Sequence, residues 1–384
     1  MESKSRPRER HRDEPGSASP DHARLPEHER TFERVSDLAA ARAEWTRLAA
    51  QAGNIFSTWE WAAAWHRHLG GGADLAVAIA RRPTGAATAI LPLCVVRESP
   101  FRLVRFVGAG PADQLGPVCA PAERGDAAIA LRHHVDEVLG GSGLFLGERI
   151  WGDAPLGPQL GGGVVRRAAS PVLPILGAGF DDFLASRSRN FRSQVRRRER
   201  NLYRAGRVAY RLTQHPDQLD ADIRSLMRLH AARWSSGQST ALSGPRAQFH
   251  LDFARRALEN GWLRLWTLEL DGRPIAAWYG LRYAGIESYY QGGRDPAYDH
   301  LHVGFVLLCH TIRCAFQDGM REYRFGLGDE PYKSRFAEND PGLDTVAIAA
   351  GARGRLALAA IHAALLMPER VRRAAWQLGG RSAA

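Results

Sequence analysis

The sequence predicts an α/β protein assembled from two successive copies of one unit, on three observations. The chain has 384 residues, too long for one typical domain and suited to two plus tails. The order helices, hairpin, strand, helix, strand occurs twice. The hairpins also align: Val77-Ala78-Ile79-Ala80 before Ala89-Ile90-Leu91-Pro92 corresponds to Leu265-Trp266-Thr267-Leu268 before Ile275-Ala276-Ala277-Trp278.

Each element has a local cause. In the first copy, Asp37 to Ala50 and Thr58 to Leu69 have helical patterns, the second rich in tryptophan. Leu75 to Arg81 and Ala87 to Val96 form a hairpin around Pro83-Thr84-Gly85, and Leu103 to Gly108 is a third strand. A helix follows from about Ala122 to Leu139, a strand from Leu144 to Ile150, a glycine-rich loop from Gly157 to Gly163, and a closing strand from Val172 to Leu176. A basic helix over Asp181 to Ala205, stopped by Gly206, leads into the second copy. That copy comprises strand Val208 to Leu212, helices His215 to Trp234 and Gln248 to Asn260, and a hairpin of Leu263 to Leu270 with Pro274 to Arg282 around Asp271-Gly272. Strand Ile286 to Gly292, helix Val303 to Gln317, strand Glu322 to Gly328 and strand Thr345 to Ala349 complete it. The domains expected are a disordered basic tail over 1–31, an N-terminal unit over 32–177, the connecting helix over 178–206, a C-terminal unit over 207–352, and a basic helix and tail over 353–384.

Composition narrows the partners. Lys and Arg total 52 against 41 Asp and Glu, a net charge of +11, which calls for an anionic partner: nucleic acid, an acidic membrane surface or a phosphorylated cofactor. Nine arginines between Arg187 and Arg207 face one acid, Glu199. A solvated connecting helix is the favoured reading of this block over a nucleic-acid contact. The C-terminal basic segment is expected to pack against the second unit, with peripheral contact to an anionic membrane as the alternative. No secretory h-region and no apolar run of membrane-spanning length occur, so a cytoplasmic location is expected. The four cysteines, Cys94, Cys119, Cys309 and Cys314, lack metal-ligand spacing, and no metal is expected.

Strand, helix and strand from Ile286 to Gly328 make a parallel crossover, and ligands bind beyond the carboxyl ends of such strands. Two loops converge there. One runs from Gln291-Gly292-Gly293-Arg294-Asp295-Pro296 to His302-Val303-Gly304, where a helix N-terminus suits a pyrophosphate. The other, Gly326 to Phe336, carries Asp329, Glu330, Tyr332 and Lys333. Fifty of the 52 basic residues are arginine, so Lys333 is an exception shared only with Lys4.

Tyr289-Tyr290 with Gly292-Gly293, Asp295-Pro296, Gly304, Leu307-Leu308, Asp318-Gly319 and Phe325-Gly326-Leu327-Gly328-Asp329-Glu330-Pro331-Tyr332-Lys333 resembles the GNAT-type acyltransferases of the CelD-like, cellulose-biosynthesis group. The resemblance covers roughly Phe32 to Ala350, with sharp motifs only from Tyr289 to Phe336. It implies two tandem GNAT-like domains, similar to the FemABX peptidyltransferases, each a mixed, mostly antiparallel sheet with a parallel splayed strand pair flanked by helices. The C-terminal copy would hold acetyl-CoA or another acyl-CoA between Ile286–Gly292 and Glu322–Gly328. His302-Val303 stands where the family often has Ser-Pro.

The activity implied is acyl transfer from acyl-CoA to an amine or hydroxyl of a small molecule or glycan. The alternatives are a FemABX-like transferase using aminoacyl-tRNA and a catalytically silent interaction protein of the same fold. Such transfer needs a base, an oxyanion donor and an acid for the thiolate. Glu330 or Asp329 is the expected base, Tyr332 the acid, and the backbone N–H groups of Tyr290 and Gln291 the oxyanion donors. Arg294, His302, Val303 and Gly304 are expected around the cofactor phosphates, and Lys333 on a cofactor phosphate or an anionic acceptor. His230 falls on an apolar helix face, where a satisfied core histidine outweighs a substrate ligand. Trp234 is expected to line the acceptor pocket or pack, and Arg192, with Arg189 or Arg196, to reach a phosphorylated or carboxylated acceptor.

Overall fold

The computed structural model describes residues 31–96, 101–152, 159–177, 179–233 and 241–366. The expected tail up to residue 30, the first two residues of the loop Gly157 to Gly163, Trp234 and the segment from 367 lie outside these residues. In chain order the elements are β1 (Thr31–Val35), α1 (Arg42–Ala52), α2 (Trp59–Leu69), β2 (Ala73–Arg81), β3 (Ala87–Val96), β4 (Leu103–Phe106) and β5 (Val118–Cys119). Then come α3 (Arg124–Leu139), β6 (Gly143–Trp151), β7 (Gly163–Ala168), β8 (Val172–Pro174), α4 (Phe180–Ser186) and α5 (Arg189–Ala205). The second half has β9 (Val208–Leu212), α6 (Pro216–Arg233), α7 (Pro245–Glu259), β10 (Leu263–Leu270), β11 (Arg273–Tyr283) and β12 (Ile286–Arg294). It ends with α8 (Val303–Gln317), β13 (Glu322–Arg324), β14 (Leu343–Ala350) and α9 (Gly351–Leu366).

Two mixed sheets result, each an antiparallel ribbon with one parallel pair. The first has the order β1-β2-β3-β4-β6-β14-β7, with β5 beside β3; the second has the order β8-β13-β12-β11-β10-β9. The parallel pairs are β4 with β6 and β12 with β13. The sheets do not divide at residue 177. β8 leaves the first half to pair antiparallel with β13, and β14 returns from the second half to lie between β6 and β7. Each half therefore completes its sheet with a strand from the other. Helix α9 packs on β6 and β14 of the first sheet rather than on the second unit, and a Cβ on Gly354 would lie 1.9 Å from the Gly143 carbonyl oxygen. Leu356 and Leu366 of this helix remain exposed.

The core is also shared. Trp61 of α2 is fully buried and meets Phe249 and Phe253 of α7 edge-on, with ring centroids 4.8 and 4.7 Å away. Such pairs add about 0.5–1.5 kcal/mol beyond area burial. A second cluster joins α4, α5, α8, Tyr323, Phe325 and Phe336. Three further departures from the sequence reading have local causes. The basic helix is interrupted at Ser188, whose hydroxyl accepts the Phe191 N–H and starts α5 afresh. β13 stops at Arg324 because the chain turns through left-handed Gly326. β1 and β7 add edges where no strand is expected. Among the described residues no helix is long and apolar enough to cross a membrane.

Candidate active site

Strands β12 and β13 pair only from Ile286–Glu322 to Ser288–Arg324, and β12 then continues to Arg294 while the other chain departs. Gly326 allows the departure: its φ is 67°, and a Cβ there would lie 2.9 Å from an Asp113 carboxylate oxygen and 3.0 Å from the Tyr289 carbonyl. The register of β12 against β11 slips by one residue at Tyr290. Tyr289 stacks on Trp278 in one core, with centroids 5.7 Å apart. Tyr290 enters the other core and donates its hydroxyl to Pro111 O at 2.8 Å.

Two cavities flank this strand. The first, about 440 Å³, lies between β11, β12 and the N-terminus of α8. Its floor is apolar, with Ala277, Trp278, Leu307 and Leu308, and its rim carries Arg198, Arg294 and His302. α8 begins without a side-chain cap, because His302 stands at the N-cap in a left-handed conformation (φ 54°, ψ 40°), and a Cβ on Gly304 in the first turn would meet the Arg294 Cδ at 3.7 Å. Burial, then Arg198 and Arg197, hold His302 below the usual imidazole value. Arg294 pairs with Asp299 at 2.5 Å. Arg198 lies 4.4 Å over the Phe305 ring, and its buried Nε has no partner among the described residues. Burial lowers its pKa, followed by the charges of Arg335 and Arg197. An orphaned guanidinium N–H and neighbouring cations beside an uncapped helix start fit the phosphates of a CoA-type ligand, and the apolar floor fits its thioester arm.

The second cavity, about 320 Å³, lies where the halves meet. Gly110, Pro111, Asp113 and Arg149 line it from the first half; His230, Arg233, Arg246, His250, Tyr290, Gln291, Glu330, Tyr332 and Lys333 line it from the second. Lys333 is 2% exposed, and its ammonium donates to the carbonyls of Leu327 and Gly328 and pairs with Glu330 at 2.8 Å. All three of its donors thus hold its own loop in shape. Burial raises the Asp113 carboxyl to about 6, against the opposing charges of Arg149 and Lys333 and a bond from the Leu327 N–H. Burial also lowers His230, which is hydrogen-bonded to the Gln291 side chain, and lowers His250 to about 3. Gly293 lets α6 approach this closely, since a Cβ there would lie 2.3 Å from the His230 nitrogen.

Arg233, Tyr289 and Tyr332 line both cavities and form the wall between them. Burial pushes the Tyr332 phenol well above its usual value, with Tyr289 and Glu330 adding to it, so Tyr332 retains its proton at neutral pH.

The sequence-predicted residues thus fall into groups. Arg294, His302 and Gly304 line the first cavity, and Val303 is buried behind it. His230, Tyr290, Gln291, Glu330 and Lys333 line the second, so Lys333, expected on a cofactor phosphate or an anionic acceptor, does not border the first cavity. Tyr332 borders both. Asp329 is exposed and lines neither. Arg192 is turned to a structural task, donating to Ala185 O at 3.0 Å and Arg187 O at 2.6 Å, and also lines neither. Sequence reasoning missed Asp113, Arg149, Arg198, Arg233, Arg246 and His250. Asp113 sits in a Gly- and Pro-rich loop where an acid reads as turn chemistry, and for Arg149 the signal is structural: a non-glycine residue at φ 61°. Among the described residues no cluster of His, Cys, Asp or Glu is suited to a metal.

Residues 189–334 match the acetyltransferase (GNAT) domain family. No curated protein matches the chain in sequence. Among solved structures it resembles FemX, at 12% identity over 86% of this chain and 100% of that one, with a TM-score of 0.61. It also resembles L-PGS from Bacillus licheniformis, at 13% identity over 85% and 94% of the two chains, with a TM-score of 0.55. The C-terminal domain of a proposed lysylphosphatidylglycerol synthetase from Agrobacterium fabrum compares at 11% identity over 84% and 96%, also with a TM-score of 0.55. Over residues 189–334 the chain is therefore similar to GNAT-type acetyltransferase domains, and its overall fold is similar to that of FemX.

Proposed function

We propose that this protein is an acyl-CoA-dependent N- or O-acyltransferase, with the donor in the first cavity and the acceptor in the second. The observation that carries the reading is the common wall: two cavities of different character meet at Arg233, Tyr289 and Tyr332. Arg198, Arg294, His302 and the start of α8 hold the donor's phosphates, and the bound donor supplies an activated acyl group as a thioester. Tyr332, its proton held by burial, is placed on the wall to protonate a departing thiolate. Glu330 and Asp113 are the carboxylates facing the acceptor, with Lys333 fixing Glu330 in position. The N–H groups at the β12 slip around Tyr290 and Gln291 are the oxyanion donors in this reading. Membership of the CelD-like group rests on the string Gly328-Asp329-Glu330-Pro331-Tyr332-Lys333 and remains part of the proposal.

A second reading, transfer of an aminoacyl group from charged tRNA, is favoured by one feature. Arg189, Arg196, Arg197, Arg200 and Arg204 of α5 have no ion-pair partner among the described residues, and Arg198 of the same helix reaches the first cavity. Thermal-shift titration separates the two readings. Acetyl-CoA at about 100 times its Kd stabilises a specific binder by about 2.7 kcal/mol. No stabilisation up to millimolar thioester, with a salt-sensitive tRNA complex, would favour the second reading.

A further inference from the structure

We infer that the acceptor carries a phosphate or carboxylate group, bound in the second cavity by Arg149 and Arg246. The inference rests on reading that cavity as the acceptor side.

Two side chains occupy positions that local structure disfavours, and both line the same cavity. Arg149 holds a left-handed backbone (φ 61°), a conformation that glycine adopts freely and arginine does not. Arg246 stands in the first turn of α7, where the helix dipole repels a cation and no acidic residue compensates. The Arg149 conformation falls at the register slip of β6 against β14 between Gly147 and Ile150, and the placement of Arg246 does nothing for its own helix. Rule-breaking residues that converge on one cavity mark a functional constraint.

The electrostatics agree. The cavity's lysine is already neutralised by Glu330 at 2.8 Å. Arg149 donates through one nitrogen, Nη1, to the carbonyls of Gly110 and Ala112, which fixes the plane of its guanidinium. Among the described residues, neither Arg149 nor Arg246 has a carboxylate at ion-pair distance, and Arg246 has no hydrogen-bond partner either. The charges of both reach the Tyr290 phenol from around the cavity, and Arg246 reinforces the low pKa of His250, keeping that imidazole neutral. Arg149, held in one plane and facing only the Asp113 carboxyl across the cavity, and Arg246, with no ion pair among the described residues, fit a planar or tetrahedral oxyanion, which their guanidinium groups can grip in bidentate fashion. Asp113 and Glu330, on the same cavity, suit the nucleophile end of such a molecule. An amino acid or a phosphorylated amine or sugar meets both requirements.

Inorganic phosphate and succinate are the probes. Each is titrated by calorimetry into the full chain and into Arg246→Ala, with Arg246→Lys as a variant that keeps the charge and loses the fork. Saturable binding of at least one anion is expected, weakened about tenfold or more in Arg246→Ala. Phosphate binding alone points to a phosphorylated acceptor, and succinate binding alone to a carboxylated one. Absence of saturable binding, or binding unchanged by Arg246→Ala, overturns the inference. Acetyl-CoA retention, followed on the same samples by native mass spectrometry, is expected to be equal in the wild-type chain and Arg246→Ala. Wild-type protein that retains no acetyl-CoA would remove the donor reading while the anion result stood separately.

Discussion

Replacing Lys333 by methionine keeps the aliphatic volume of a side chain that is 2% exposed and removes its ammonium. The carbonyls of Leu327 and Gly328 lose their donor, and Glu330 loses its partner. An orphaned buried acceptor costs about 1–3 kcal/mol. Glu330 is 51% exposed at its side chain and recovers water, so its loss adds little. Relief from burying the ammonium offsets part of the sum. The expected net loss is therefore about 2–4 kcal/mol, read by urea denaturation. The loop from Gly326 to Phe336 also loosens, so kcat/KM for the acceptor falls with Glu330 and Tyr332 less well placed. Affinity for acyl-CoA is expected to be unchanged, because Lys333 does not line the first cavity. A variant of wild-type stability whose acyl-CoA affinity collapses would refute this reasoning and return Lys333 to a cofactor phosphate.

Three other outcomes follow from the same geometry. Tyr332→Phe is expected to lower kcat by about 10²-fold or more, with acyl-CoA affinity little changed; an unchanged kcat removes Tyr332 from the chemistry. Asp113 has a folded pKa raised to about 6, so its favourable contribution is complete below the unfolded value near 4 and is lost as pH rises through 6. Asp113→Asn should therefore stabilise the fold by roughly 1–3 kcal/mol at pH 8 and have no such effect below pH 4, and equal gains at both pH values would contradict this. Residues 31–177 expressed alone lack β14, which separates β6 from β7, and should not unfold cooperatively; a sharp thermal transition in that fragment would show that the exchanged strand is dispensable.

The sequence was most legible where periodicity and punctuation coincide. The hairpin around Asp271-Gly272 and the apolar helix Val303–Gln317 have the expected bounds to within a residue or two. The strand exchange was not legible, because Val172–Pro174 and Leu343–Ala350 are short apolar runs whose pattern says strand but names no partner. The same limit affects the site. Glu330, Tyr332 and the start of α8 lie near one another in a recognisable string, whereas Asp113 and Arg149 reach the second cavity from more than a hundred residues away. Arg192 illustrates the reverse error: a basic helix advertises charge, but the break at Ser188 turns this guanidinium back onto the carbonyls of Ala185 and Arg187.

The central claim is that the first cavity is a donor site for an acyl-CoA. Native mass spectrometry of the full chain with a panel of acyl-CoA thioesters tests it most directly, with Arg198→Glu alongside. One retained thioester per chain, lost in Arg198→Glu, is the predicted result. Failure to retain any thioester, or retention undiminished by placing a carboxylate at position 198, would contradict the account.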